Sequence, residues 1–211
     1  MRLFLASASI PGRVDALTEL VGAAATVGVS ANAFDAETAT ERREWLGKEM
    51  RALARAGLSP VELDLRDYFS DPVALGETLS RLEMVWATGG NVFVLRKAMH
   101  RSRFDELLLS RLQDDSLAYG GCSAGACVCG PTLRGIDLVE DAHAAGEPIF
   151  EGLGLVEYSI APHFGAGGET GVAIARLVAY FEETGTPYRA LRDGQAIAVA
   201  GGSSTVIELG A

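Results

Sequence analysis

An α/β fold is predicted, with a mostly parallel central sheet flanked by helices on both faces and a C-terminal β-hairpin, and three observations predict it. Short apolar runs alternate with amphipathic stretches in a β-α-β-α rhythm, which implies parallel strands joined by right-handed crossovers. Two Gly-rich segments, Gly89-Gly90-Asn91 and residues 120–125, each follow a strand-like run directly, and so should share the edge where such sheets bind ligands. The chain closes on two apolar segments, 195–200 and 205–209, spaced as a hairpin across Gly201-Gly202-Ser203-Ser204.

The elements follow in order. Leu3 to Ala6 reads as a first strand ended by Ser-Ala-Ser and Pro11-Gly12, with a helix over 14–21 and a second strand over 24–30. From Thr40, Trp45, Leu46, Met50, Leu53 and Ala54 form an apolar helical stripe, and Arg42, Arg43, Lys48 and Arg51 are expected on a solvated opposite face with no binding role. Gly57 stops that helix. Residues 61–65 alternate as a strand, Asp71-Pro72 opens a helix reaching about Leu82, and Met84 to Ala87 is a buried-type strand. Helices are expected over 92–99, 104–113 and 169–182, and a strand over 116–119 runs straight into Gly120.

Composition narrows the function classes. With 211 residues the chain is expected to form a single domain spanning 1–211, and its charged fraction of 22% with 25 glycines suits a globular α/β protein. A net charge of −10 argues against tracking a phosphate backbone, which needs Lys and Arg clusters. The start of the chain has too short an apolar run for a signal peptide, and nowhere do apolar stretches approach the roughly 20 residues of a membrane span, so a cytoplasmic location is expected. Cys122, Cys127 and Cys129, with no fourth cysteine or nearby His at ligand spacing, suggest small buried thiols; no metal and no cofactor are expected.

Gly121-Cys122-Ser123-Ala124-Gly125 matches the G-x-S-x-G nucleophile elbow, in which a sharp strand-to-helix turn exposes a serine oxygen at the top of the sheet. The same turn could instead pack closely or hold a phosphate through its N–H groups. A preceding strand and a second Gly-rich loop favour the catalytic reading, with the Ala124 amide facing a developing oxyanion. Serine needs a base. His100 ends a helix among cations and His143 lies in an acidic loop, whereas His163 follows the strand-like run Tyr158-Ser159-Ile160-Ala161 and stands where a base should. For the third member, a carboxylate that fixes the imidazole tautomer, Asp137, Glu140 and Asp141 are all candidates.

Over nearly its whole length the chain resembles peptidase family S51, the peptidase E and aspartyl dipeptidase group. The resemblance lies in Arg2-Leu3-Phe4-Leu5, Gly89-Gly90-Asn91, the elbow, Pro131-Thr132-Leu133-Arg134, Pro162-His163-Phe164 and Gly168-Glu169-Thr170. It implies a flavodoxin-like fold similar to class I glutamine amidotransferases, Ser123 as nucleophile, His163 as base, Asp137 as acid with Glu140 open, Gly90 and Ala124 as oxyanion donors, and Asn91 touching substrate. It also implies a short peptide substrate, neither nucleic acid nor membrane as partner, and a monomer or homodimer. Where the resemblance calls for an arginine that recognises an acidic side chain, the chain has Gly171, which puts Asp selectivity in doubt; Arg134 and Arg176 are the cations that could substitute. Ser123 rather than cysteine at the elbow argues against glutamine hydrolysis. The competing readings are an esterase of the α/β-hydrolase type and an idle relative that binds a small ligand.

Overall fold

The structure, a computed structural model, describes residues 1–12 and 14–209. Its strands are β1 (Leu3–Ala6), β2 (Thr26–Ser30), β3 (Ser59–Glu62), β4 (Met84–Ala87), β5 (Ala118–Cys122), β6 (Ser159–Ala161), β7 (Tyr188–Ala190), β8 (Gln195–Ala200) and β9 (Ser203–Glu208). The helices are α1 (Asp15–Val21), α2 (Ala39–Arg55), α3 (Pro72–Leu79), α4 (Val92–Arg101), α5 (Phe104–Gln113), α6 (Ala124–Cys127) and α7 (Gly168–Thr184).

Seven strands form one sheet in the order β3-β2-β4-β5-β1-β8-β9. The first five are mutually parallel, whereas β8 runs antiparallel to β1 and β9 antiparallel to β8. The expected fold class is therefore present, hairpin included. The hairpin turn is tighter than the sequence suggests: both Gly201 and Gly202 take positive φ, 56° and 80°, the backbone of a two-residue turn, and β9 begins at Ser203. A separate pair, β6 and β7, is parallel and joined through α7.

Period-2 alternation divides each central strand between two cores. Leu3, Leu5, Val85, Ala87 and Tyr119 face one cluster with residues of α3, α4, α5, α6 and α7. Phe4, Ala6, Val27, Val29, Met84 and Trp86 face the other, under α1 and α2. Trp86 and Tyr119 are fully buried and so must find polar partners: the indole Nε1 donates to Glu49 at 2.9 Å and the phenol to the Gly125 carbonyl at 2.8 Å.

The expectation for α2 is corrected. Arg42 is buried, not solvated, and its guanidinium meets Asp35 at 3.2 Å, Glu62 at 2.9 Å and Asp64 at 2.9 Å. Trp45, assigned to the apolar stripe, is 42% exposed and stacks on Phe34 with ring centroids 5.3 Å apart. Apolar spacing alone does not register carboxylates brought from outside α2, and it is three of these that draw the Arg42 guanidinium inward. The third strand is also displaced to Ser59–Glu62, and residues 65–68 form a 3₁₀ turn in place of its expected end. Among the described residues no helix is long and apolar enough to cross a membrane.

Candidate active site

Three parallel strands bring the site together at their carboxyl ends. β5 delivers Ser123, β4 delivers Gly89 and Gly90, and β1 delivers Ser7, Ala8 and Ser9. This is the edge where open α/β sheets bind ligands.

Ser123 is held in the left-handed region, φ 50° and ψ −113°, a conformation costing about 1–3 kcal/mol for a side-chain-bearing residue and retained where surrounding packing dictates it. The packing is specific. A Cβ on Gly121 would lie 2.7 Å from the Gly125 carbonyl carbon and 2.8 Å from the Ala87 oxygen, and one on Gly125 would collide with that same oxygen. The two glycines of the elbow are thus required because the turn is pressed against β4. The Ser123 amide donates to the Ala6 and Ser7 carbonyls, both at 3.1 Å, which ties the elbow to β1.

The Ser123 hydroxyl lies 3.1 Å from His163 Nε2, and His163 Nδ1 lies 2.7 Å from Asp193 Oδ1. With the proton on Nδ1 directed to Asp193, Nε2 is left to accept from the serine. Base and acid share one origin: His163 follows β6 and Asp193 follows β7, so the β6-α7-β7 unit positions both at adjacent strand ends. Ser7 locks them together. Its fully buried hydroxyl accepts from the His163 amide at 2.8 Å and donates to Asp193 Oδ1 at 2.9 Å, with the Leu191 carbonyl a second acceptor at 3.2 Å.

The acid expected at Asp137 is corrected. Asp137 Oδ1 accepts from the Gly135 amide at 2.8 Å within its own turn. Glu140 accepts from the Val92 amide at 2.7 Å, capping α4, and burial pushes its carboxyl up to about 7 against the opposing effect of that hydrogen bond. Asp141 accepts from the His143 amide at 2.9 Å. None of the three reaches His163. Backbone donors claim all of them, local ones for Asp137 and Asp141 and the start of α4 for Glu140. Asn91 is corrected as well: its Oδ1 takes the amides of Phe93 and Val94 at 2.9 and 3.1 Å while its Nδ2 donates to the Asp141 carbonyl at 2.8 Å, so it caps α4 and does not line the cavity at Ser123.

Gly90 lines the cavity at Ser123 and Ala124 follows the serine in the chain, and among the described residues neither amide donates to another protein group. Such free donors can meet negative charge developing on a substrate oxygen. Cys122 does not supply a thiolate to this chemistry, since burial holds its thiol well above its ordinary range and the neighbouring Glu49 charge raises it further. All three cysteines are free and buried.

A cavity of about 340 Å³ opens at the serine, lined by Phe34, Trp45, Lys48, Glu49, Thr88, Gly89, Gly90, Cys122 and His163 among others. Lys48, expected on a solvated face without a role, therefore borders the site. Gly171 cannot be replaced by any side chain without striking the Ala166 carbonyl. Arg134 lies over the Phe150 ring, 4.9 Å from its centroid, and Arg176 borders a separate surface hollow on α7; neither lines the cavity at Ser123.

Sequence reasoning missed Ser7 and Asp193. The loop between serine and histidine carries three acids, whereas β7, which precedes Asp193, is a three-residue strand of partly buried residues with no apolar run to announce it. The usable signal was Asp193-Gly194, a turn pair immediately before the strand-like segment at Gln195.

The peptidase family S51 model matches residues 32–207. Peptidase E of Streptomyces coelicolor is 32% identical over 157 residues, covering 71% of this chain and 62% of that protein. An uncharacterised peptidase of Listeria innocua is 32% identical over 115 residues, 54% of each. The chain thus spans between 54% and 62% of the length of these two curated relatives. A crystal structure of a Listeria monocytogenes EGD-e protein superimposes with a TM-score of 0.79 at 24% identity, covering 99% of this chain and 98% of that one, which establishes the shared fold. With a family model matched over most of its length and an elbow serine placed against a histidine, the chain belongs to peptidase family S51.

Proposed function

We propose that the protein is a serine peptidase that hydrolyses short peptides through Ser123, His163 and Asp193. The observation that carries this reading is the continuous hydrogen-bonded line from the Ser123 hydroxyl through the imidazole to Asp193, at 3.1 and 2.7 Å, beside two uncommitted main-chain amides.

The chemistry follows from the geometry. Ser123 attacks the scissile carbonyl as its proton passes to His163 Nε2, and the new negative charge on the substrate oxygen is met by the Gly90 and Ala124 amides. Asp193 stabilises the imidazolium by accepting from Nδ1 and does not itself take the proton. The imidazolium then protonates the leaving amine as the C–N bond breaks, leaving an ester on Ser123. Water, deprotonated by the same Nε2, attacks that ester and releases the acid.

Two features bear on the competing readings. The order Ser, His, acid along the chain departs from the Ser, acid, His order of α/β-hydrolases, which weighs against an esterase of that type. The crowding at Gly171 leaves no room for an arginine, which supports a specificity other than strict preference for an N-terminal aspartate. The test is a dipeptide panel with varied first residue, Asp-X included, run on the protein and on Ser123→Ala. Hydrolysis of at least one peptide, abolished in a variant with unchanged Tm, is expected. Hydrolysis that survives the substitution overturns the assignment.

A further inference from the structure

The cavity at Ser123 contains one group that the reaction above does not use. Glu49 is only 2% exposed, yet it lines this cavity. Among the described residues its hydrogen-bond partner is a neutral donor, the Trp86 indole at 2.9 Å, and Cys122 lines the same cavity. Lys48, the next cation along α2, is not paired with it, and its Nζ sits over the Trp45 ring, 4.3 Å from the centroid. A buried carboxylate without a counter-ion is costly to maintain, and a cavity wall is where a visiting cation can offset that cost.

The geometry points to Glu49 as a specificity-determining residue that receives an alkylammonium group of the substrate, an inference that rests on the peptidase reading of the same site. Glu49 lines the same cavity as Ser123 and as Cys122, which immediately precedes the nucleophile, so the cation would be held in the cavity where the scissile carbonyl sits. A peptide offers such a cation in two ways, as its free α-amino group or as a lysine-type side chain. Phe34 and Trp45, stacked 5.3 Å apart, supply the apolar wall beside it. Glu49 acts on binding and not on the bonds being broken, so its loss should appear in KM more than in kcat.

The experiment measures protection of Ser123 from a fluorophosphonate by three probes: L-alaninamide, N-acetyl-L-lysinamide and uncharged N-acetyl-L-alaninamide. At least one cationic probe should protect and the uncharged one should not. In Glu49→Gln, whose amide oxygen can still accept from Trp86, protection should weaken by about thirtyfold or more, as for a desolvated charge pair losing one partner. Which cation protects identifies its source. Equal protection by charged and uncharged probes, or protection unchanged in the variant, overturns the inference while labelling of Ser123 leaves the peptidase reading standing. Should the variant fail to fold, the comparison of probes on the unaltered protein decides alone. Failure of folded protein to label at Ser123 removes the peptidase reading, and this inference with it.

Discussion

Glu140 shows how a side chain near a catalytic centre can be tuned for a structural task. Burial lifts its carboxyl from 4.5 to about 7, so the folded protein holds a proton there that the unfolded chain has already released. The folded state therefore binds more protons between those values, and the contribution is present below about 4.5 and lost as pH rises through about 7. Glu140→Gln should flatten the fall in Tm across that window, measured by thermal denaturation at stepped pH; a slope identical to the unaltered protein's would contradict the assigned environment. Ser123 and His163 were legible in the sequence because an elbow and a post-strand histidine are local patterns. Asp193 and Ser7 were not, since they reach the imidazole only through the pairing of β6 with β7 and the proximity of β1, which no local spacing encodes.

Among the elements, those with a strong local signature were readable to the residue. β4 and α5 match their expected limits, one a short apolar run before a glycine pair and the other a helix pattern. The fifth strand begins two residues later than expected and ends three later, because its Gly120-Gly121-Cys122 end has no apolar alternation, its conformation being imposed by neighbours β1 and β4. That crowding is testable. Gly125→Ala should lower Tm and activity together, because the added methyl meets the Ala87 carbonyl and displaces the elbow, in contrast with Ser123→Ala. At the start of α2, Thr38 and Glu41 form a reciprocal capping box, with the Glu41 amide donating to Thr38 Oγ1 at 3.2 Å and the Thr38 amide to Glu41 at 3.1 Å. Thr38→Ala should cost about 1 kcal/mol in denaturant unfolding. No loss would contradict the cap.

For the molecule as a whole, composition and rhythm specified the layered α/β architecture but not its polar interior. Asp35, Arg42, Glu62, Asp64 and Arg66 form a network that joins α2 to β3 and the turn after it. Burial alone would raise the Asp64 carboxyl, but hydrogen bonds from Arg66 and Asn32 and the Arg42 charge outweigh it and bring it down to about 2. Its contribution is therefore present above 3.8 and lost as pH falls through about 2. Arg42→Ala, which removes one of the two guanidiniums paired with Asp35 and Asp64 and leaves Arg66 in place, should destabilise the fold by about 1.5–3 kcal/mol at neutral pH. A change below about 1 kcal/mol, the range of exposed pairs, would contradict the burial assigned to it.

The most direct test of the central claim is the rate of fluorophosphonate labelling at Ser123 in Asp193→Asn and Asp137→Asn, read by mass spectrometry against the unaltered protein. The triad predicts unchanged labelling in Asp137→Asn and a fall of about 10³–10⁴ in Asp193→Asn, where the imidazole loses its tautomer-fixing partner. Labelling that is undiminished without the Asp193 carboxylate, or that collapses on loss of Asp137, would contradict it.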